Sequence, residues 1–434
     1  AFFGCTGLTS IDIPDSVTII GGSAFFGCTG LTSIDIPDSV TSIGGSAFYG
    51  CSGLESVVIP GSVTEIGGGA FDGCTGLKSI DIPDSVTSIG SGAFRSCAGL
   101  KSIDIPDSVT SIGDYAFGGC SGLESVVIPD GMNNISSGMF WYCTKLESVV
   151  IPNGVISIGS YAFSGCASLE SIAIPNSVTE IGDSAFSGCS GLESIVVEEG
   201  NPVYHSAGNC LIETQSKTLL LGCKSSIIPD DGSVTSIGVD AFSNCTGLTS
   251  IVIPDSVTEI GGHAFIGCTG LKEIEIPTSV TSIGADAFRA CTGLTNIVIP
   301  GSVTEIGGGA FVFCTGLTKV VILDGVTSIC NSMFAECTGL ESIVIPDSVT
   351  SIGGLAFSGC IGLKSIVIPD SVTVIDGWAF HGCTALQSVV FENPEGWRDS
   401  LGNEISSEDL SDPAVAASLL AGEHAYDRWE RYEW

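Results

Sequence analysis

The chain has 434 residues, and 44% of them are hydrophobic, which is enough to fill a large core. Acidic residues number 48 against 13 basic ones, and the formal net charge of −35 excludes nucleic acid and anionic lipid as expected partners. No run of about 20 apolar residues is present, so we expect no membrane insertion.

A 23-residue unit repeats sixteen times along the chain. One copy is residues 28–50, which read CTGLTSIDIPDSVTSIGGSAFYG. A fixed period of this length predicts a solenoid, in which each unit is one coil and the coils share a continuous core. The chain opens on Ala1-Phe2, inside a repeat, which predicts that it is a fragment of a longer protein.

Each unit predicts the same short elements. Isoleucines alternate with serine and aspartate over residues 31–37, which predicts a strand with one buried face that ends at Pro37. Val40–Ile43 predicts a second short strand, and Ser46–Phe48 a single helical or 3₁₀ turn. The predicted fold is a solenoid of stacked 23-residue coils, with a parallel β-sheet on one face and short strands or 3₁₀ turns elsewhere.

Phenylalanine and cysteine recur once in every unit. Sixteen of the 20 phenylalanines and sixteen of the 19 cysteines fall in these two columns, which we predict to be core. Stacked cysteines about 5 Å apart would also lie near disulfide range, so oxidised pairs stay open as an alternative. Cys210, Cys223 and Cys330 lie outside the column.

The period is interrupted once. Residues 1–197 contain nine units and residues 233–391 contain seven, with an irregular unit at 198–232 between them. Inside that unit, two apolar runs at Asn209–Glu213 and Thr218–Leu221 flank a polar turn, which predicts a β-hairpin that projects from a coil edge or caps it.

Residues 392–434 are predicted to form a C-terminal cap. Ser411-Asp412-Pro413 reads as a helix start, with an acidic N-cap and proline in the first turn. Trp429, Tyr432 and Trp434 are then expected to cover the last open coil.

The repeat pattern Cys-x-Gly-Leu-x-Ser-Ile-x-Ile-Pro-x-Ser-Val-Thr-x-Ile-Gly-x-x-Ala-Phe-x-Gly resembles the BspA-like leucine-rich repeat, a bacterial and protozoan class. The resemblance covers residues 1–391. It implies a leucine-rich repeat solenoid that is secreted or displayed on a cell surface. Several members of the class are adhesins for host matrix proteins or other bacteria, and the class has no shared catalytic residues.

Two outward columns of the predicted sheet are candidates for ligand binding. The first is nearly all serine, and the second begins with aspartates and continues with valines. The valines could simply pack on their cross-strand neighbours, or they could form an exposed apolar stripe that marks a partner site. The predicted ligand-binding residues are Asp12, Asp35, Asp81, Asp104, Glu273, Glu275, Asn296, Val298, Lys319, Val321, Val344 and Val367.

A file of aspartates lies just after the strand, mostly following the proline. Its members are Asp15, Asp38, Asp84, Asp107, Asp130, Asp255, Asp324, Asp347 and Asp370. Aspartate after proline is ordinary turn chemistry, and calcium bridging along the file is the alternative, although the glycine-aspartate nonapeptide of calcium-binding β-rolls is missing.

Nothing in the sequence indicates an enzyme. The four histidines, His205, His263, His381 and His424, have no metal-site spacing, and the thiols fall in the predicted core. The best hypothesis is a secreted or cell-surface adhesion module that binds a host matrix protein, a host surface protein or another bacterial surface on its sheet face. A carbohydrate-binding module and a passive stalk remain the alternatives, and no cofactor other than calcium is suggested.

Overall fold

The computed structural model describes residues 2–423 and 425–432, so the predicted roles of Trp434 and His424 fall outside the described residues. The chain divides into two compact units, Ala1–Leu211 and Ile212–Trp434. Each unit is a parallel β-solenoid with the 23-residue spacing of the sequence, which confirms the predicted fold class. Within the described ranges, no helix has both the length and the apolar character needed to cross a bilayer.

The first strand of each coil, here called the front strand, forms the predicted parallel sheet. Neighbouring front strands pair in register, so that each residue is opposite the residue 23 positions further along the chain, as in Ser33 with Ser56 and Val298 with Val321. Each repeat position therefore becomes a row of side chains across the sheet. The front strands of the first unit are Ser33–Asp35, Ser56–Val58, Ser79–Asp81, Ser102–Ile103, Ser125–Val127, Ser148–Val150, Ser171–Ile174 and Ser194–Val197. Those of the second unit are Ser250–Val252, Glu273–Glu275, Asn296–Ile299, Lys319–Ile322, Ser342–Val344, Ser365–Ile368 and Ser388–Phe391.

A second strand of two residues, the back strand, follows in each coil at the predicted Val-Thr-x-Ile stretch. Its final isoleucine points inward, and the back strands also pair in parallel, as in Ser42 with Glu65. The back strands of the first unit are Ile19–Ile20, Ser42–Ile43, Glu65–Ile66, Ser88–Ile89, Ser111–Ile112, Asn134–Ile135, Ser157–Ile158 and Glu180–Ile181. Those of the second unit are Ser236–Ile237, Glu259–Ile260, Ser282–Ile283, Glu305–Ile306, Ser328–Ile329, Ser351–Ile352 and Val374–Ile375.

The phenylalanine column forms a continuous stack inside each unit. Rings of adjacent coils lie 5.1 to 5.7 Å apart between centroids, with interplanar angles of 1° to 17°. Rings such as those of Phe48 and Phe71 are fully buried. The aromatic mass of the column is therefore core, as the sequence predicts.

The cysteine column is built around the phenylalanine carbonyls. The carbonyl oxygen of Phe48 accepts the backbone N–H of Cys51 in its own chain segment at 3.1 Å and the thiol of Cys74 in the next coil, also at 3.1 Å. All nineteen cysteines are free. The column is buried except at Cys5, which has no preceding described coil over it, and Cys330 outside the column is half-buried.

The coils also approach each other closely at the glycine that follows the back strand. A Cβ atom at Gly67 would lie 2.7 Å from the carbonyl carbon of Gly44 and 2.8 Å from the carbonyl oxygen of Ile43. Contacts under 3.0 Å to backbone cannot be relieved by moving a side chain, so glycine fits best at this position of the coil. Ser136, Cys330 and Asp376 take the same place in three other coils, where the local backbone makes room for a side chain.

Serine hydroxyls also join consecutive coils. Ser85 Oγ donates to the carbonyl oxygen of Val63 at 2.6 Å, and the same bond recurs in most repeats. The donors are Ser39, Ser62, Ser85, Ser108, Ser177, Ser256, Ser279, Ser302, Ser348 and Ser371. The serine of the Pro-Asp-Ser-Val motif is thus a stacking residue and not only a turn residue.

The irregular unit contains three strands, Tyr204–Ala207, Cys210–Glu213 and Thr218–Leu221. The last two flank the turn that the sequence assigns to the hairpin. Thr218–Leu221 does not project from the solenoid, because it pairs in parallel with the back strand Ser236–Ile237. This strand thereby begins the row of back strands in the second unit.

The C-terminal segment closes the second unit. It contains the strands Trp397–Arg398 and Trp429–Arg431, the helices Ser407–Ser411 and Pro413–Ser418, and a π-helical turn at Leu419–Glu423. The carboxylate of Asp412 caps the second helix by accepting the N–H of Ala414 at 2.9 Å, and Pro413 occupies the first turn.

The last described strand completes the cap. Trp429–Arg431 pairs antiparallel with the back strand Val374–Ile375, and Trp429 is fully buried beside Trp397. Tyr432, expected to cover the coil, is instead 53% exposed, with Arg398 over its ring. Trp397 provides the second buried ring that the prediction missed.

Candidate functional site

In the first unit, the predicted aspartates lie on the outward side of the front strands. Asp12, Asp35, Asp81 and Asp104 are all exposed. The backbone of Asp12 forms a parallel β-bridge with Asp35, and that of Asp81 forms one with Asp104. Val58 lies between the two pairs in the same row. The predicted acidic column is therefore real but interrupted by one valine, 65% exposed.

In the second unit, the pairing brings several predicted residues side by side. Asn296 is directly opposite Lys319, and Val298 is followed in register by Val321 and Val344. Val298 and Val344 are 47% and 54% exposed, whereas Val321 between them is less exposed and half-buried. Three further predicted residues lie on this face. Glu273 and Glu275 are on one strand and both exposed, and Val367 is 45% exposed.

A third column at the start of the front strands escaped the sequence analysis. Four consecutive coils of the first unit carry glutamate there, and all four are exposed: Glu124, Glu147, Glu170 and Glu193. The backbone N–H of Glu147 donates to the carbonyl oxygen of Glu124 at 3.0 Å, which places the two residues in adjacent coils. The column is visible in the sequence at the 23-residue period, and in the structure the exposed serine column lies between it and the exposed valines.

The valines of the same front strands are among the most exposed apolar side chains of the chain. Val127 and Val150 are 67% and 69% exposed, and Val196 is 48% exposed. Elsewhere in the glutamate column, lysines interrupt the acids and form ion pairs, as in Lys78 with Glu55 at 2.8 Å. This part of the face thus combines an uninterrupted acidic row with an apolar row.

The aspartate file after the front strands is exposed at every position. Hydrogen bonds from Asn393 and then from Arg431 lower the pKa of Asp370, the last member, which ties it to the C-terminal strand. Among the residues that the structure describes, no group of three or more His, Cys, Asp or Glu side chains is arranged to hold a metal ion. Calcium bridging stays a prediction.

Two positions in each coil have a left-handed backbone, and together with the residues between them they form what we call the lateral edge. The first positions are Ser23, Ser46, Gly69, Gly92, Tyr115, Gly138, Tyr161, Ser184, Asp240, His263, Asp286, Gly309, Ser332, Leu355 and Trp378. The second are Gly4, Gly27, Gly50, Gly73, Ser96, Gly119, Tyr142, Gly165, Gly188, Asn244, Gly267, Ala290, Phe313, Glu336, Gly359 and Gly382. A regular helical turn, one of the sequence alternatives for this stretch, is replaced by hydrogen-bonded turns between these positions.

The lateral edge is where the repeats differ most from one another. Left-handed backbone favours glycine, yet several coils place large side chains there. Two of these side chains, Tyr115 and Tyr142, lie across the next coil, where glycine leaves room. A Cβ at Gly138 would lie 2.2 Å from the ring of Tyr115, and one at Gly165 would lie 3.0 Å from the ring of Tyr142.

The first unit carries an aromatic cluster on this edge, formed by Tyr115, Trp141 and Tyr142, and Tyr161 is a further exposed ring on the same edge. The rings of Tyr115 and Trp141 are 6.1 Å apart and those of Trp141 and Tyr142 are 4.5 Å apart, both edge to face. Trp141, Tyr142 and Tyr161 are 38%, 52% and 44% exposed. The sequence marks Trp141 and Tyr142 as a departure from the repeat, but their neighbours in space come from other coils.

The thiols of the cysteine column do not provide a nucleophile. Burial raises the pKa of the Cys51, Cys120 and Cys314 thiols to about 12, from an ordinary value of 9.0. These groups are therefore protonated at neutral pH and closed to solvent. Their chemical role is the hydrogen bond to the phenylalanine carbonyl.

Comparisons with known proteins agree with this architecture. The family model described as "BspA type Leucine rich repeat region (6 copies)" matches residues 1–124, 87–207, 220–341 and 305–399. None of the curated proteins compared with the chain matches it closely enough to count as a relative.

Several solved structures are similar to the chain. A leucine rich cell surface protein from Faecalibacterium prausnitzii A2-165 is 34% identical, with 81% of this chain and 83% of that chain covered and a TM-score of 0.55. A leucine-rich repeat protein from Bacteroides ovatus ATCC 8483 is 36% identical over 84% and 88% of the two chains, with a TM-score of 0.53. The pneumococcal vaccine antigen PcpA, 21% identical over 74% of this chain and 87% of that chain with a TM-score of 0.58, shares the fold. The chain therefore belongs to the BspA type leucine-rich repeat family, as its repeat pattern indicates.

Proposed function

We propose that this chain is a non-catalytic, cell-surface adhesion module that binds a protein partner on the exposed face of its front strands. The observation that carries the proposal is the valine row of that face, which includes side chains up to 81% exposed at Val252. Exposed apolar rows on a protein of net charge −35 are unusual unless a partner covers them. The similar F. prausnitzii protein is described as a cell surface protein, which supports the proposed location.

The chemistry of the face favours a basic and partly apolar partner. In the first unit, the glutamate row from Glu124 to Glu193 is on the same face as Val127 and Val150, with the serine column between the two rows. Carboxylates at the rim of an apolar row steer a basic protein toward the surface and select against acidic ones. A host extracellular-matrix protein, a host surface protein or another bacterial surface with such a region would fit.

The test is direct binding of the purified chain to a panel of purified matrix and epithelial surface proteins, at physiological salt with and without calcium. The variant Val344→Lys with Val367→Lys places two charges on the valine row and should abolish binding. The matched control, Val239→Lys with Ile361→Lys, changes two residues that are 60% and 50% exposed away from the front strands. It should bind as the unmodified chain does.

Each outcome has a defined meaning. Retained binding in the Val344 and Val367 variant, or equal loss in the control, would refute the sheet face as the binding surface. Saturable binding that requires calcium would implicate the aspartate file. No saturable partner under either condition would favour the passive stalk.

The aromatic cluster supports carbohydrate binding as a second candidate function. Trp and Tyr rings are flat, apolar on their faces and polar at one end, which suits a sugar ring with both C–H and O–H groups. The cluster supplies the stacking platform that the front-strand columns lack. Binding of neutral glycans that disappears in Trp141→Ser with Tyr142→Ser, but persists in the Val344 and Val367 variant, would favour this candidate over protein binding on the sheet.

A further inference from the structure

The lateral edge of the second unit contains a cleft of about 470 Å³. It is lined by Gly308 and Gly309, which have no side chains, and by the larger residues Phe313 and Leu355. Its volume lies within the range of about 300–1,000 Å³ that is usual for ligand sites. The cleft lies on a different surface from the front strands, so its role is independent of the function proposed above.

The lining of the cleft is amphipathic. Val312 and Ala335, each 7% exposed, form an apolar floor. Phe313 and Leu355, 40% and 42% exposed, stand on either side and come from left-handed positions of different coils. An aliphatic chain could therefore lie across the floor between an aromatic and an aliphatic wall.

The charges of the cleft are unevenly matched. Asp286 faces two basic groups, Arg289 at 3.4 Å and His263 at 3.7 Å, and Arg289 also covers the ring of Phe313 at 5.2 Å. Glu336 is exposed, and no ion pair among the described residues includes it. Its carboxylate lies over the backbone of Gly359, where a Cβ would be 2.5 Å from Oε1.

We propose that this cleft binds a single cationic side chain, lysine or arginine, presented by a partner polypeptide. The methylene stem would cover Val312 and Ala335, as long basic side chains commonly do on apolar surface. The cationic head would pair with Glu336, the one carboxylate of the cleft that lacks a basic neighbour. Arg289 already covers Phe313 and is itself held by Asp286, so an acidic side chain would have to displace an existing pair.

The test measures the binding of three short peptides to the whole chain by saturation-transfer NMR at 0.15 M salt. The probes are acetyl-Gly-Lys-Gly-amide, acetyl-Gly-Arg-Gly-amide and acetyl-Gly-norleucine-Gly-amide, the last of which keeps the stem and lacks the charge. The basic probes should bind more tightly than the norleucine probe. Glu336→Gln should weaken them by about threefold to fivefold, the effect of losing a partly exposed ion pair, and leave norleucine unchanged.

Controls separate a specific cleft from general attraction to an acidic protein. Asp347→Asn removes one exposed carboxylate from the neighbouring coil and should have no effect on any probe. Phe313→Asn, a residue that tolerates the left-handed backbone, removes the aromatic wall and should weaken all three probes. Equal binding of basic and norleucine probes, or equal effects of Glu336→Gln and Asp347→Asn, would overturn the proposal. Loss of sheet-face binding in the Val344 and Val367 variant would not change these results.

Discussion

The buried thiols predict that alkali destabilises this solenoid, and that each buried cysteine makes its own contribution to the loss. The thiol of Cys120 has its pKa raised to about 12 in the folded chain, mainly by burial, against an ordinary value of 9.0. Between these values the unfolded chain loses the proton and the folded chain keeps it. The stabilising contribution is complete below pH 9 and is lost as the pH rises toward 12.

The magnitude follows from the two pKa values. For one thiol, raising the pH from 8 to 10 lowers the free energy of unfolding by about 1.4 kcal/mol. Cys120→Ala removes this term but also removes the buried sulfur, which destabilises the variant at every pH. The difference in stability between the unmodified chain and Cys120→Ala should therefore shrink by about 1.4 kcal/mol between pH 8 and pH 10.

The assay is urea unfolding followed by circular dichroism, with a reductant present to prevent disulfide formation. Solenoids can unfold in parts, so the comparison requires equal urea dependence in both proteins. Val109→Ala, at another fully buried position without a titrating group, is the control, and its effect on stability should be the same at both pH values. If the Cys120→Ala difference stays constant as well, the reasoning from burial to thiol pKa is wrong.

Three further perturbations test how the coils are joined. Gly67→Ala should destabilise the chain by at least about 2 kcal/mol in urea unfolding, because its Cβ would meet backbone. Gly61→Ala, whose Cβ would have nothing within 4 Å, should be neutral or slightly stabilising. Equal effects of the two substitutions on the free energy of unfolding would contradict the close approach of the coils at Gly67. Ser85→Ala should cost about 1 kcal/mol by removing a bond to the preceding coil, and the exposed sheet position Ser79→Ala should cost nothing measurable by the same method. Asp370→Asn should speed hydrogen exchange in the last strand at pH 7. Acidification should do the same to the unmodified chain, but only below the ordinary carboxyl pKa of 3.8, because the lowered pKa of Asp370 keeps its contribution complete above that value. Unchanged exchange in either case would argue against the role of this carboxylate in the cap.

The sequence by itself determines the repeating architecture of this protein. Isoleucines at alternate positions define the front strand, and phenylalanine and cysteine at fixed places in a 23-residue period have no arrangement that buries them except stacking. The start of the cap helix is equally local, because Asp412 and Pro413 act within one turn. These features depend on neighbours in the chain or on identical neighbours one period away.

Only the tertiary structure decides what each coil presents to the next. Three features depend on contacts between different coils. Val321 is half-buried beside the exposed Val298 and Val344, tyrosine rings lie over glycines of the following coil, and the strand Thr218–Leu221 joins the row of back strands. The cleft beside Glu336 has the same origin, since its lining comes from four consecutive coils. The physical reason is that one period specifies a coil, whereas a binding surface is made by the differences between stacked coils, and those differences become neighbours only after stacking.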